Sequence, residues 1–308
     1  MKQKRVFKDE RQTNYFFITY GDKNYSIQRK RIVFQAKKFK IFKKIFSYKY
    51  SSLNKDFKKR FSNLLKSSKG AGYWIWKSQI ILQSLEKMNK NDILIYVDSG
   101  STLNIRGKER LIDYFEMLNK SSESIFLFSI PGAEDGPGLI EKHWTTKEVF
   151  EYFDVQNNKE ITDSTQFMGG VLLVKNNETS RKFFREFQNI VDGNNNFITD
   201  YYSSNQNLYF EACRHDQSIL SVMGKLYGCL SMQDEFSYFY KPKDQYNSPI
   251  LTVRDGVYNK WQKIKFYSFY PLNIRKVIFF KEKPYYFKNK KTIYSKVFNK
   301  IFISKNII

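Results

Sequence analysis

The sequence predicts an α/β fold, in which buried strands alternate with helices in one large domain. Apolar, β-rich runs at residues 15–20, 93–97 and 124–130 predict strands, and the stretches between them carry apolar residues at helical spacing. A chain of 308 residues with 41% hydrophobic and 18% aromatic content can bury a large core. We therefore expect one folded domain over residues 1–250 and a basic, aromatic appendage over residues 251–308.

The strand predicted at residues 93–97, ILIYV, is the one around which a site is expected to form. It is apolar throughout, which is typical of a strand buried on both faces, and Asp98, Ser99 and Gly100 follow it directly. Ligands bind beyond the carboxyl ends of strands in open α/β sheets, so Asp98 is well placed to contact one. The same three residues are ordinary turn formers, and both interpretations stay open.

The strand predicted at residues 15–20 leads into a turn that contains Gly21, a geometry that lets backbone amides approach a nucleotide. Residues 27–46 then predict one or two basic amphipathic helices, because apolar residues recur among lysines at helical spacing. Further helical faces are predicted at residues 57–65, 80–88 and 108–119.

Two tryptophans, Trp74 and Trp76, stand beside Lys77 just before the helix predicted over residues 80–88. Aromatic rings in this position could stack on a sugar or a base while the lysine meets a phosphate. Packing of the rings into the core explains the same pattern equally well.

Small and polar residues also precede two later elements. Gly169 and Gly170 stand directly before the strand VLLV, which indicates that something approaches the backbone closely there. Asp216 and Gln217 follow His215 at the start of a helix, where Asp216 could contact a ligand or simply cap the helix.

A Pro/Gly-rich turn at residues 131–138 leads towards a helix that Thr145 or Thr146 could cap. Long loops on an α/β scaffold usually shape the binding site. His143 and Trp144 are therefore candidates to contact an acceptor, although a lone histidine is more often structural than catalytic.

The net charge of +23 is concentrated away from the predicted site. Residues 29–69 hold 15 Lys and Arg against Asp56, and residues 254–308 hold 14 against Asp255 and Glu282. A protein that grips a polyanion along its length would be basic at its central site as well, so nucleic acid is the less favoured partner. The C-terminal segment could instead rest on an anionic membrane surface, or pack back on the domain as a basic tail.

Only two cysteines and two histidines are present, too few for a disulfide framework or a Cys/His zinc site. No run reaches the length of a signal peptide or of a membrane span. We therefore expect a cytoplasmic location, with peripheral attachment to the membrane as the alternative.

Five segments in this order, YFFITYGD, GYWIWK, ILIYVDSGSTLN, QFMGGVLLV and RHDQSILSV, resemble the nucleotide-sugar glycosyltransferases of the GT-A fold. The resemblance covers about residues 14–235 and is nearest to the retaining enzymes, such as glycosyltransferase families 8 and 6. It implies a Rossmann-like, mixed and mostly parallel sheet flanked by helices. It also implies transfer of a sugar, with retention, from a nucleotide-sugar donor such as a UDP-sugar to a glycan, lipid-linked or protein acceptor.

The residue patterns and the resemblance together give three sets of candidate residues. The catalytic candidates are Asp216 and Gln217. The donor-binding candidates are Thr19, Tyr20, Gly21, Trp76, Lys77, Asp98, Ser99, Gly100, Gln166, Gly169 and Gly170. The acceptor-binding candidates are His143, Trp144 and His215.

The resemblance further implies a divalent cation, Mn²⁺ or Mg²⁺, at Asp98. Position 100 is glycine where the metal motif usually carries its second aspartate, which removes an oxygen ligand. Gln217 stands where an acid is common and can form hydrogen bonds, but it cannot act as a nucleophile or base. Metal dependence therefore stays open.

Two other functions remain possible on the sequence alone. A nucleic-acid-binding protein would use the basic, aromatic ends, but it would leave Asp98 and the glycine pair unexplained. A catalytically inactive GT-A-like module that binds a glycan or a nucleotide would fit the departures at Gly100 and Gln217.

Overall fold

The computed structural model describes residues 13–130, 138–236 and 248–252 of the chain. Eight strands lie in this part: β1 (Tyr15–Tyr20), β2 (Phe42–Tyr48), β3 (Ile93–Val97), β4 (Thr102–Leu103), β5 (Ile125–Ser129), β6 (Val171–Lys175), β7 (Leu230–Gln233) and β8 (Ile250–Leu251).

The described residues also form eleven helices, several of them a single turn long. They are α1 (Ser26–Phe39), α2 (Lys55–Arg60), α3 (Ser62–Leu65), α4 (Gly70–Tyr73), α5 (Trp76–Leu85), α6 (Lys108–Lys120), α7 (Glu141–Trp144), α8 (Lys147–Tyr152), α9 (Lys159–Thr162), α10 (Glu178–Gly193) and α11 (Asp216–Tyr227). Short 3-10 turns occur at Tyr50–Ser52, Ile105–Gly107 and Asn195–Ile198.

A six-stranded sheet in the order β2-β1-β3-β6-β5-β7 organises the domain. Strands β2, β1 and β3 pair in parallel, as do β5 and β7, whereas β6 runs antiparallel to both β3 and β5. Strands β4 and β8 form a separate antiparallel pair. The prediction of an α/β fold with a mixed, mostly parallel sheet is confirmed.

Every residue of β3 is buried, because helices cover both faces of the sheet. Since successive side chains in a strand point to opposite faces, Leu94 and Tyr96 pack in the core that includes α5, α10 and α11. Ile93, Ile95 and Val97 pack in the core that includes α1 and α6. The expectation of a strand buried on both faces is confirmed.

One edge of the sheet collects the residues that were singled out from the sequence. Parallel strands β1 and β3 end there at Tyr20 and Val97, and antiparallel β6 begins there, since Val97 pairs with Val171. The residues that follow β1 and β3, Gly21 and Asp98, thus lie at the same edge as Gly170, which precedes β6. We call this edge, with the start of α11 and Lys77, the carboxyl edge.

The predicted helical stretch at residues 27–46 is correct only for its first part. Helix α1 ends at Phe39, Lys40 adopts a left-handed conformation with φ of 53°, and β2 follows. Strand β2 pairs in parallel with β1 at the border of the sheet and keeps Lys43 and Lys44 exposed. Lysines on a border strand are common because they discourage pairing with another chain, and here this pattern resembled helical spacing.

The helices predicted at residues 80–88 and 108–119 and the strand at 124–130 are confirmed within a few residues at their ends, whereas the helical stretch predicted at 57–65 is divided between α2 and α3. Strand β8 lies at the predicted domain boundary at residue 250, and the predicted C-terminal segment falls outside the described residues except for residues 251 and 252. The same holds for the turn predicted at residues 131–138, apart from residue 138. No helix in the described part of the chain combines the length and the apolarity needed to cross a bilayer.

Candidate active site

A buried ion pair joins two candidate residues that are far apart in sequence. Lys77, in the first turn of α5, forms a salt bridge with Asp216, the first residue of α11, and each is only 5% exposed. The ammonium of Lys77 also donates to the carbonyl oxygen of Gly169 at 2.7 Å. The structure thereby brings together residues from α5, α11 and the segment before β6.

Burial raises the pKa of the Asp216 carboxyl to about 6, and the charge of Asp98 contributes in the same direction. The positive charge and the hydrogen bond of Lys77 oppose this increase, so Asp216 is mainly ionised at neutral pH. His215 occupies the position before the helix, and no side-chain capping bond is formed there. The carboxylate of Asp216 is therefore engaged by Lys77, which favours the site interpretation over a simple cap.

Asp98 directly follows β3 and is held differently. Its carboxylate accepts a hydrogen bond from the hydroxyl of Tyr96, and its backbone N–H donates to the carbonyl of Gly170 at 2.9 Å. Its own carbonyl accepts from the N–H of Ser101 at 2.9 Å, so Ser99 and Gly100 form the turn that leaves the strand. Asp98 is half-buried and lies at the carboxyl edge.

The close approach predicted at the glycine pair is made by side chains of the protein itself. A Cβ atom at position 169 would lie 3.2 Å from the Nζ atom of Lys77 and 3.3 Å from Cβ of Gln217. A Cβ atom at position 170 would lie 3.1 Å from Oδ2 of Asp98. The two glycines therefore allow Lys77, Gln217 and Asp98 to pack against this backbone.

A divalent cation would find few ligands among these groups. One oxygen of Asp98 is bonded by Tyr96, Asp216 is bonded by Lys77, and position 100 offers no side-chain oxygen. No group of three or more His, Cys, Asp or Glu residues suited to hold a metal occurs in residues 13–130, 138–236 and 248–252. Since Mg²⁺ and Mn²⁺ favour about six, mainly oxygen, ligands, the described residues do not complete a cation site by themselves.

The end of β1 offers polar atoms without partners. The hydroxyl groups of Thr19 and Tyr20 are buried and form no hydrogen bond with any residue that the structure describes. A buried polar group without a partner costs about 1–3 kcal/mol. Successive residues of a strand point to opposite faces, so a ligand on one face of the sheet would offset that cost for only one of the two hydroxyls. Gly21 is required sterically, because a Cβ atom there would lie 2.8 Å from the carbonyl oxygen of Tyr25.

Trp76 lies in the core and does not present its ring to a ligand. It is 4% exposed, its ring stacks on Tyr20 with centroids 3.9 Å apart, and its indole N–H donates to the carbonyl of Gly70 at 2.8 Å. This arrangement corresponds to the core-packing alternative for this residue. Trp76 instead packs against the ring of Tyr20.

An uncommon backbone conformation precedes Lys77. Residues 70–74 all have positive φ, from 50° to 104°, and so form a left-handed turn that includes α4. Its non-glycine members, Ala71, Tyr73 and Trp74, each bear a cost of about 1–2 kcal/mol. Residues held in such conformations cluster at functional sites. This turn directly precedes α5 and so determines the position of Lys77 in its first turn.

His215 packs on this turn. Its ring lies 5.6 Å from that of Tyr73 and 5.3 Å from that of Trp74, and its Nε2 atom lies 3.1 Å from Oδ1 of Asp200. Burial lowers the pKa of His215. His215, an acceptor-binding candidate that directly precedes Asp216, therefore has the carboxylate of Asp200 as its partner.

The other two acceptor candidates lie on α7. The carbonyl of Trp144 accepts from the Ser218 hydroxyl at 2.7 Å, which joins α7 to the first turn of α11. The carbonyl of His143 accepts from the N–H of Glu211 at 2.8 Å. These backbone contacts hold the loop that leads to Asp216. The two rings contact the same loop, since that of His143 lies 6.0 Å from the ring of Tyr209 and that of Trp144 lies 4.0 Å from the guanidinium of Arg214.

Gln166 and Gln217 meet through their side chains. The Nε2 atom of Gln217 donates to Oε1 of Gln166 at 2.6 Å, and Oε1 of Gln217 accepts from the N–H of Gly169 at 2.9 Å. Gln166 in turn donates a hydrogen bond to Glu141, a buried carboxylate that the sequence did not indicate. Tyr96 was also missed, although its position two residues before Asp98 in a strand signals that both point to the same face.

No protein-family model matches the chain, and no curated protein matches it. Among solved structures, it is similar to a glycosyltransferase involved in glycosylation of the major capsid of PBCV-1, with 11% identity, a TM-score of 0.47, and coverage of 77% of this chain and 91% of the other. It is also similar to mouse xyloside xylosyltransferase 1, at 11% identity and a TM-score of 0.41, over 81% of this chain and 96% of the other.

A third similar structure is the galactosyltransferase LgtC in complex with donor and acceptor sugar analogues, at 13% identity and a TM-score of 0.38, over 79% of this chain and 84% of the other. The three matched structures are glycosyltransferases, the class that the motif series resembles.

Proposed function

We propose that this chain is a glycosyltransferase that moves a sugar from a nucleotide-sugar donor, a UDP-sugar, to a glycan, lipid-linked or protein acceptor. The observation that carries this proposal is the buried Lys77–Asp216 ion pair at the carboxyl edge, beside Asp98 and the glycine pair. In open α/β sheets, ligands bind at this edge. An ammonium and a carboxylate side by side suit a reaction in which positive charge develops on the sugar ring and negative charge on the leaving group.

The donor would lie along the ends of β1 and β3. Because Thr19 and Tyr20 point to opposite faces of the sheet, only one of their buried hydroxyl groups would bond the nucleoside. Asp98, anchored on one oxygen by Tyr96, supplies a carboxylate oxygen for a ribose hydroxyl. The diphosphate would then extend towards Lys77 and Asp216.

Breaking the bond between C1 of the sugar and the diphosphate oxygen places the electron pair on the diphosphate and positive charge on the ring. The ammonium of Lys77 would stabilise the leaving diphosphate, and the carboxylate of Asp216 would stabilise the ring. In a retaining reaction the acceptor hydroxyl forms its bond to C1 on the face that the diphosphate leaves. A diphosphate oxygen then takes the hydroxyl proton, so no further base is needed.

In this mechanism the cation beside the diphosphate is Lys77. Gln217 contributes hydrogen bonds and no covalent step, because a carboxamide is neither a nucleophile nor a base. A divalent ion at Asp98 would need diphosphate oxygens and water to complete its ligands, and no step depends on it.

The first test is a thermal-shift screen against UDP-, GDP-, dTDP- and CMP-sugars. A donor present at a hundred times its Kd should add about 2.7 kcal/mol to the apparent stability. Donor hydrolysis and transfer should then be lost in Asp98→Asn and Asp216→Ala, with far-UV circular dichroism showing that both stay folded. Full activity in either variant would remove that residue from the site.

The same experiments separate the alternatives. Binding of a nucleotide-sugar without transfer or slow hydrolysis would identify an inactive module. No binding of any nucleotide-sugar, together with salt-sensitive retention of oligonucleotides, would identify a nucleic-acid-binding protein and overturn the proposal. Contact of residues 251–308 with anionic membranes stays a prediction, which co-sedimentation with vesicles would test.

A further inference from the structure

A directed chain of side-chain amides links Gly169 to a buried carboxylate. The N–H of Gly169 donates to Oε1 of Gln217 at 2.9 Å, and Nε2 of Gln217 donates to Oε1 of Gln166 at 2.6 Å. Nε2 of Gln166 donates to Oε2 of Glu141 at 3.1 Å. Every link joins a donor to the next acceptor, so the chain runs in one direction from backbone to carboxylate.

Both ends of this chain fix its direction. The oxygen and nitrogen of a glutamine amide have nearly the same shape, so their partners decide which way the amide faces. The backbone N–H of Gly169 can only donate, and the oxygens of Glu141 accept from Thr145, Ser221 and Lys225. Gln217 must therefore turn its oxygen to Gly169, and Gln166 must turn its nitrogen to Glu141.

Glu141 is held so that it stays a fixed acceptor. It is 0% exposed, and Oε1 contacts the ammonium of Lys225 at 2.6 Å and accepts from the hydroxyl of Ser221. The hydroxyl of Thr145 donates to Oε2 at 2.7 Å. The Lys225 charge compensates the buried carboxylate, which would otherwise be strongly destabilising.

The orientation of Gln217 also reaches the ion pair. Gln217 holds the N–H of Gly169, and Lys77 holds the carbonyl of the same residue at 2.7 Å while it pairs with Asp216. A reversed Gln217 amide would set its NH₂ group against the Gly169 N–H, donor against donor. Gly169 would then move away, and Lys77 would lose one of its two partners.

We propose that Glu141 is a positioning residue that fixes, through Gln166, the amide of Gln217 and thereby the geometry of the Lys77–Asp216 pair. The consequence for turnover rests on the proposed function, whereas the orientation of the amide does not. Glu141 lies at the start of α7 and does not touch Lys77 or Asp216; it is linked to them by this chain of amides and, through Ser221 and Lys225, by helix α11.

The test is Glu141→Gln, which keeps the size of the side chain but lets position 141 both donate and accept. In protein labelled with ¹⁵N at glutamine, the side-chain resonances of Gln217, assigned from the Gln217→Ala variant, should be two sharp and exchange-protected protons. In Glu141→Gln they should broaden or shift. With a donor in hand, kcat should fall about tenfold while KM changes less than about twofold, as for a misplaced catalytic group.

A double variant separates positioning from general stability. In a Gln217→Ala background no amide remains to be oriented, so Glu141→Gln should change kcat by less than about twofold. The matched control is Asp92→Asn, which alters a carboxylate that is 2% exposed at the opposite end of β3 and bonded to Asn14 and Asn89. It should lower stability and leave the Gln217 resonances in place.

If Glu141→Gln does not fold, Gln166→Met breaks the same chain without a buried charge and should have the same effect on Gln217. Unchanged Gln217 resonances in Glu141→Gln, or in Gln166→Met, would overturn the proposal. An equal loss of kcat in the wild-type and Gln217→Ala backgrounds would also overturn it. Altered resonances in a protein that turns over no nucleotide-sugar would uphold the positioning role and reject only the proposed function.

Discussion

Replacement of Lys77 by methionine tests the buried ion pair most directly. The variant keeps the length of the side chain and removes the charge that faces Asp216. Loss of one partner of a buried pair typically costs about 3–5 kcal/mol, because the other charge is left without compensation. We expect the unfolding free energy at pH 8 to fall by about that amount, and turnover to be lost.

The pH dependence makes this prediction specific. In the wild type the pKa of Asp216 is about 6 when folded, against 3.8 for an ordinary aspartate. The folded state thus binds this proton more tightly, so the contribution of Asp216 to the unfolding free energy is greatest below pH 3.8 and declines by about 3 kcal/mol as the pH rises through 6. Without Lys77 the pKa of Asp216 rises further, and the decline should extend above pH 6.

Urea denaturation of both proteins between pH 4.5 and 8 measures these differences. The difference between wild type and Lys77→Met should be small at pH 4.5, where Asp216 is protonated, and largest at pH 8. A Lys77→Met/Asp216→Leu variant should recover much of the stability and remain inactive. Lys69→Met is the control, since the Lys69–Asp200 pair is exposed and worth less than about 1 kcal/mol. A loss below about 1 kcal/mol in Lys77→Met, independent of pH, would refute the reasoning.

Three further predictions follow from the same region. Ala71→Gly should raise the unfolding free energy in urea by about 1 kcal/mol because it relieves a left-handed conformation, whereas Gly70→Ala should lower it, since a Cβ atom there would lie 2.3 Å from the Trp74 ring. Tyr96→Phe removes the hydroxyl that holds Asp98 and should cost about 1 kcal/mol in stability and weaken donor binding measured by calorimetry; unchanged affinity would contradict this. Mn²⁺ alone should give no thermal shift, because the described residues offer it only the Asp98 carboxylate, one oxygen of which already accepts from Tyr96. A shift with Mn²⁺ in the absence of nucleotide would contradict the conclusion that these residues do not complete a cation site.

Strands β1, β3, β5 and β6 could be predicted because each is an apolar run bounded by turn residues. The spacing of apolar residues predicts a helix where strand β2 lies, since a border strand with exposed lysines has no clear alternation of apolar and polar residues. Strands β4 and β8 have two residues each, too short to leave a periodic signal. Local patterns thus identify interior strands, whereas border and short strands depend on contacts that only the folded chain makes.

The candidate site shows the same division. Asp98, Asp216 and Lys77 could each be singled out from the element that precedes or follows them. Their relation could not, because Lys77 and Asp216 are 139 residues apart and no local pattern records that they pair. Glu141 had no signal at all, since a single Glu in the first turn of a short helix is ordinarily a solvated residue or a favourable charge at the helix start.

The two aspartates at the carboxyl edge carry the same group but have different partners. Asp98 accepts a hydrogen bond from the neutral hydroxyl of Tyr96, whereas the buried Asp216 pairs with the ammonium of Lys77. A buried ion pair is generally no more stabilising than apolar residues of the same volume, so stability alone gives the fold no reason to place charges there. An inactive binding module would need the outer, half-buried Asp98 but not the inner pair. The buried Lys77–Asp216 pair therefore favours charge-separating chemistry over binding alone. Turnover by the wild type that is lost in a stable Lys77→Met/Asp216→Leu variant would support this argument, and donor binding without turnover in the wild type would refute it.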